Sequence, residues 1–105
     1  MTTNIPAKNF DTKRITLSAT VETGITLEAT HVIRYIKAQC ATDVNVRISF
    51  TPGGTLSTDN YFTIKSGEYW EVNDFTLYPR DDAGTFFYAL SETGAVTLEV
   101  IWAQA

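Results

Sequence analysis

The sequence has few of the side chains on which enzymes and metal sites depend. Its 105 residues include one cysteine, Cys40, and one histidine, His31. A single cysteine cannot form an intrachain disulfide, and two such ligands fall short of the three or four that a zinc site needs. His31 begins an apolar strand pattern, which favours a surface or strand-edge histidine over a catalytic base. We therefore expect no enzyme activity, no catalytic residue, no metal and no other cofactor.

Basic residues and long apolar runs are also scarce. Eight Lys and Arg against twelve Asp and Glu give a net charge of -4, and an acidic surface repels phosphate backbones. No stretch approaches the ~20 apolar residues that cross a bilayer as a helix, and the N-terminus lacks the apolar run of a signal peptide. We expect no nucleic-acid partner, no membrane partner and synthesis in a reducing cytoplasm.

Acidic side chains occur in turns and strands without a spacing typical of a site. Calcium-binding loops and glycosidases both use carboxylates, but each requires several of them at one place. Nothing in the sequence brings two of these residues to one cleft, so a turn-forming or solvated role is favoured. The residues considered are Asp59, Asp74, Asp81, Asp82, Glu68, Glu71 and Glu99.

Threonine and aromatic residues are abundant. Seventeen threonines and thirteen aromatic residues favour strands, because branched or bulky side chains pack well on a pleated surface. From Arg14 onward, apolar and polar residues alternate, and turn residues recur every eight to twelve positions. The alternation is clearest over residues 44–50, where the predicted core-facing side chains are Val44, Val46, Ile48 and Phe50.

These patterns predict an all-β chain with one domain over residues 13–105. The expected fold is a two-sheet β-sandwich, a jelly roll of about eight strands, with an immunoglobulin-like sandwich as the alternative. Residues 1–12 are predicted to form an extended N-terminal arm. Ile5 and Phe10 are its main apolar groups, too few to offset an ordering cost of roughly 1–2 kcal/mol per residue. We expect this arm to bind a neighbouring subunit; folding along its own sheet edge is the alternative.

Adjacent aromatic residues predict apolar side chains on the outside of the sandwich. They occur at Tyr61-Phe62, Tyr69-Trp70 and Phe86-Phe87-Tyr88, and neighbours in a strand point to opposite faces. An apolar outer face favours contact with another chain; scattered surface apolar residues, or a sugar-stacking platform at Tyr69 or Trp70, are the alternatives. The predicted interface residues are Ile5, Phe10, Tyr69, Phe87 and Ile101.

Three features between Val44 and Trp102 occur together in one group of proteins. The strand from Tyr61 ends in a Lys65-Ser66-Gly67 turn, Leu77 and Tyr78 precede another turn, and residues 97–102 form a final apolar strand. In these features the chain resembles small all-β structural proteins of tailed bacteriophages, namely the capsid decoration (cement) proteins and their head and tail relatives. The resemblance covers residues 44–102, a little over half of the chain.

The resemblance implies a protein that sits on or between capsid subunits and stiffens the shell. It also implies binding to the major capsid protein and to sister subunits, as a homo-oligomer such as a dimer or trimer. The expected location is the virion, after assembly in the host cytoplasm, and no catalytic residue comes with the resemblance. The alternatives are a carbohydrate-binding β-sandwich module and a tail or neck component of the same fold.

Overall fold

The computed structural model describes residues 10–27, 32–40, 43–81 and 83–104. These ranges contain strands, turns and one short 3₁₀ turn at Gly54–Leu56, and no α-helix. The all-β prediction is therefore confirmed. The eight strands are β1 (Phe10–Leu17), β2 (Thr23–Thr26), β3 (Ile33–Cys40), β4 (Val46–Ser49), β5 (Phe62–Ile64), β6 (Tyr69–Leu77), β7 (Thr85–Ser91) and β8 (Val96–Gln104).

The strands form two antiparallel four-stranded sheets. Sheet A has the order β1-β8-β3-β6 and sheet B the order β2-β7-β4-β5. Antiparallel pairs join β1 to β8, β2 to β7, β3 to β6 and β4 to β5, as if one long hairpin were wound around itself. This pairing is the jelly-roll arrangement, and it decides against the immunoglobulin-like alternative.

The core lies between the sheets and contains the predicted face of β4. Val46 and Ile48 are fully buried, and Val44 and Phe50 are half-buried and pack against the core. The alternation over residues 44–50 is thus confirmed as one buried and one outward face. On the opposite sheet, β8 contributes Val96, Leu98, Val100 and Trp102 to the same core.

Two β-bulges explain why buried residues occur where a strict alternation of buried and exposed positions would not place them. Between Ile33 and Tyr35 the pairing of β3 with β8 shifts register, so Ile33 and Ile36 are both buried while Arg34 is exposed. Between Thr85 and Phe87 the pairing of β7 with β2 shifts in the same way. An extra residue on one strand changes which face the following side chains occupy.

The predicted boundary between arm and domain is wrong by three residues. β1 begins at Phe10, which pairs with Ala103, and Thr12 pairs with Ile101. Residues 10–12 therefore belong to the sandwich, because the register of β1 with β8 continues to the end of both strands. Residues 1–9, including Ile5, as well as His31 and Asp82, lie outside the described residues, so the arm's binding to a neighbour stays a prediction.

The 51–60 loop covers the outer face of sheet B over its two middle strands. Its 3₁₀ turn contacts both β4 and β7, and Gly54 and Thr55 within it are buried. Glu22 holds the loop from the β1–β2 connection: its carboxylate accepts hydrogen bonds from the Gly53 amide at 2.7 Å and the Thr55 amide at 3.0 Å, and also from the Thr55 hydroxyl. Beneath the loop, Ser49 on β4 is buried although its strand position points outward.

Candidate functional site: the open face of sheet A

The outer face of sheet A has no loop comparable to the 51–60 loop among the described residues. Its side chains come from alternate positions of four paired strands, and we call this surface the open face. Cross-strand register arranges it in rows, because residues paired on neighbouring strands point to the same side. It consists of Phe10, Thr12, Arg14 and Thr16 of β1; Thr97, Glu99, Ile101 and Ala103 of β8; Tyr35, Lys37 and Gln39 of β3; and Tyr69, Glu71 and Asn73 of β6.

One corner of the open face is apolar. Ala103 on β8 pairs with Phe10 on one side and with Tyr35 on the other. Because the alanine side chain is small, the two rings meet across it, edge to face, with centroids 5.8 Å apart, in the geometry that aromatic pairs prefer. Ile101 lies one row further along and is half-buried. This corner therefore presents packed and ordered apolar surface.

The charged side chains of the open face are held by neighbours within the face. Arg14 forms an ion pair with Glu99, and the Gln39 amide donates to the other oxygen of the same carboxylate at 3.2 Å. The Lys37 ammonium lies 4.4 Å from the centre of the Tyr69 ring, within reach of a cation–π attraction. The face thus carries two cations and two anions, each in contact with a group beside it.

Tyr35 and Glu71 form the most restrained polar contact of the open face. The Tyr35 hydroxyl donates to the Glu71 carboxylate at 2.6 Å. Burial of Tyr35, followed by its hydrogen bond to Glu71 and the negative charge there, raises the pKa of Tyr35 from 10.0 to about 12. The phenol therefore keeps its proton, and the hydrogen bond, throughout the physiological range.

The open face is shallow rather than cleft-like. A depression of about 330 Å³ lies among Thr12, Arg14, Lys37, Gln39 and Glu99, with Ile101 among the residues that line it. A flat, mixed apolar and polar surface of this kind suits contact with a second macromolecule. Aromatic, amide and carboxylate groups on one sheet are also the side chains that bind sugars.

Three of the five predicted interface residues lie together on the open face. Phe10 and Ile101 are half-buried there, and Tyr69 is 52% exposed. The prediction for Phe87 is wrong: its exposure is 0%, and it packs in the core against Phe50 and Trp70. The bulge before Phe87 reverses the expected alternation, so that Tyr88 is the outward residue.

The sequence does not identify β3, one of the two central strands of sheet A, as part of the open face. Tyr35, Lys37 and Gln39 alternate along β3, and this alternation was the available signal. The signal was obscured because Arg34, the bulged residue, interrupts the pattern just before it. Glu71 and Glu99 were considered as acids without a shared cleft; the structure places both on this face, separated by β3.

The remaining candidates for chemistry do not form a cluster. Within the described ranges, no three His, Cys, Asp or Glu side chains lie close enough to hold a metal ion together. Asp81 is a turn residue whose carboxylate accepts from the amides of Ala83 and Thr85, and the Thr85 contact in particular lowers its pKa. Cys40 ends β3, half-buried against the core, as expected for a small hydrophobic residue. The absence of enzyme activity and cofactors stays a prediction.

The fold and this face together define a jelly-roll sandwich in which the described residues leave the outer face of sheet A open. Comparison with protein-family models, curated proteins and solved structures found no match to this chain. The part of the chain that the structure describes includes no helix long and apolar enough to cross a membrane.

Proposed function

We propose that this chain is a structural protein of a virus particle, a capsid decoration protein of a tailed bacteriophage. It acts without catalysis, by binding the assembled shell and stabilising it through contacts with the major capsid protein and with sister subunits. The resemblance over residues 44–102 suggests this role. The single structural observation that supports it is the contrast between the two sheets, since a loop covers the middle of sheet B and no loop among the described residues covers sheet A.

The ordering of the open face favours a protein partner. Side chains that are already held in place lose little conformational freedom on binding, which leaves more of the contact energy as affinity. Charges with neighbours in the face can be covered by a partner without becoming isolated in an apolar interface. Both properties suit a protein that binds to an already assembled shell.

The proposal is tested on particles of the virus whose genome encodes the chain. Mass spectrometry of purified particles should detect the protein in stoichiometric amounts, and heads assembled without it should bind it on cosedimentation. Heads carrying the protein should release DNA at a higher temperature than bare heads. If the protein is missing from particles and does not cosediment with heads, the proposal is wrong.

Two matched tyrosine variants identify which surface of the protein binds the heads. Tyr69 on the open face has Lys37 over its ring at 4.4 Å, and Tyr61 on the sheet B side has Arg47 over its ring at the same distance. Tyr69→Ala should reduce binding to heads at least tenfold, about 1.4 kcal/mol, whereas Tyr61→Ala should leave it unchanged. Equal effects of the two variants would show that the open face is not the surface that binds heads.

A carbohydrate-binding module is the second candidate. The observation that favours it is that Tyr69, Gln39 and Glu99 lie close together on sheet A, where they line shallow depressions of the open face. Against it, the Lys37 ammonium covers one side of the Tyr69 ring on which a sugar would stack. Saturable binding of an oligosaccharide, abolished by Tyr69→Ala, would favour this candidate over the first.

A further inference from the structure

We propose that the open face binds a second copy of this chain, sheet to sheet, about a two-fold axis that runs parallel to the strands between β8 and β3. The inference rests on the proposed function and deepens it: of the two partners named there, the sister subunit covers the open face, so Tyr69→Ala weakens binding to heads by weakening the dimer. The charge balance of this face and the order of its rows support the inference.

Charge balance makes a second copy a suitable occupant. The whole chain carries 8 basic and 12 acidic side chains, a net charge of -4. The open face carries two of each sign, Arg14, Lys37, Glu71 and Glu99, a net charge of zero. The other surfaces together therefore hold the entire net charge of -4, and two copies that meet through this face bring surfaces of zero net charge together.

The size of the face is sufficient for a specific dimer. Four strands of eight or nine residues, about 4.8 Å apart, span roughly 20 Å by 28 Å, or ~550 Å² of projected area per copy. The side chains project from the sheet, so the surface area of the face exceeds this projected area. Two copies would then bury about 1,000–1,200 Å² in total, the lower end of specific interfaces.

The order of the side chains within each row decides the direction of the two-fold axis. Rotation about an axis parallel to the strands places β1 over β6 of the second copy and β8 over its β3, with every row kept at its own level. Arg14 then lies over Tyr69 of the second copy, and Glu99 lies over Gln39 of the second copy. The second of these, a carboxylate beside an amide, is a favourable contact, and Arg14 approaches a ring of which Lys37 already contacts one side.

The same rotation stacks no charged side chain directly on its own copy. In the central row, Thr12 lies over Glu71 of the second copy, and Ile101 lies over the aliphatic part of its Lys37. Rotation about an axis across the strands at this row would instead stack Lys37 on Lys37 and Glu71 on Glu71. Like charges placed directly opposite each other are destabilising, so the charges of the central row favour the first axis.

Thr12 offers a test that depends on this geometry. Within one chain, Thr12 and Glu71 lie on the two edge strands of sheet A, separated by β8 and β3. A charge at position 12 therefore affects Glu71 mainly across the dimer. Thr12→Glu should place two pairs of carboxylates in contact and raise the dimer dissociation constant at least tenfold. Thr12→Glu combined with Glu71→Lys should restore the affinity.

The matched control is Thr93→Glu. Thr93 is also an exposed threonine, but it lies in the turn before β8 and outside the open face, so the variant makes the same change in net charge. Sedimentation equilibrium of the full chain measures the dissociation constants, and circular dichroism checks that each variant is folded. We expect a wild-type dimer at ~100 μM protein, weakened by Thr12→Glu and unchanged by Thr93→Glu.

Three results would overturn the inference: a wild-type chain that is monomeric at that concentration, a dimer that Thr12→Glu does not weaken, or equal weakening by Thr93→Glu. Failure here is distinct from failure of the proposed function. A monomer that still binds heads would retain the decoration role, and a dimer that is missing from particles would retain this interface.

Discussion

Replacing Gly54 with alanine tests whether close packing of the 51–60 loop keeps sheet B covered. Gly54 sits directly on β4, where an added Cβ would lie 2.7 Å from the Asn60 carbonyl oxygen and 2.8 Å from the Ser49 Cβ, and nearer still to the Ser49 hydroxyl. Carbon atoms in contact normally lie about 3.5–4.0 Å apart. The loop and the strand must therefore separate by about 1 Å.

The expected cost follows from how that separation is accommodated. Insertion of one carbon into a closely packed site costs about 1–3 kcal/mol. If the loop lifts away instead, the hydrogen bonds that Glu22 accepts from Gly53 and Thr55 are lost, and bonds to a charged group contribute roughly 1.5–3 kcal/mol each. We expect Gly54→Ala to lower the free energy of unfolding by about 2–3 kcal/mol.

Urea denaturation followed by tryptophan fluorescence measures this loss, and hydrogen exchange at the Thr55 amide reports whether the loop lifts. The control is a double-mutant cycle with Ser49→Gly, which removes two of the three close contacts and should recover about 1 kcal/mol of the loss. A loss below ~0.5 kcal/mol, or strict additivity of the two changes, would refute the reasoning.

Three further outcomes are expected. Ile48→Ala should destabilise the protein by roughly 2–4 kcal/mol in urea denaturation through lost burial and a cavity; a loss under about 1 kcal/mol would contradict its place in the core. In absorbance titration, one tyrosine should ionise near pH 12, and Glu71→Gln should lower the pKa of that group, Tyr35. Because the unfolded chain loses this proton at lower pH than the folded one, stability should fall as pH rises from about 10 to 12. Deletion of residues 2–12 should lower stability by ~2 kcal/mol because it removes three cross-strand pairs, whereas deletion of residues 2–9 removes none of the pairs described; similar melting temperatures for both would contradict the corrected strand boundary.

The sequence predicted the features of the fold that depend on local pattern. Alternation at Val46 and Ile48 identified a core face, and the glycine and proline residues after Phe50 located the end of the strand. These predictions succeed because side-chain direction in a strand is fixed by the period of two. Strand order could not be predicted, since it depends on pairings between residues as distant as Phe10 and Ala103.

The failures arise where tertiary structure overrides the local pattern. The prediction that Phe87 lies outside holds only if the three consecutive aromatic residues alternate without a bulge. The polar residues Asp11 and Thr12 suggest an arm over residues 10–12, although an edge strand with both sides exposed needs no apolar alternation. The open face was only partly predicted, since its rows exist only when four distant strands are paired.

The winding of the hairpin also determines how the domain responds to mechanical force. β1 starts at Phe10 beside Ala103 near the end of β8, so the two ends of the described part of the chain lie side by side on neighbouring strands. Tension applied through these ends pulls β1 away from β8 along the direction of their hydrogen bonds, which then break one pair at a time, as in a zipper. Load applied across the broad faces of the sheets does not peel strand pairs apart, because it acts on the apolar core contacts between the two sheets. Tension between the two termini therefore opens this domain one pair at a time, whereas a load across the faces is spread over the whole core.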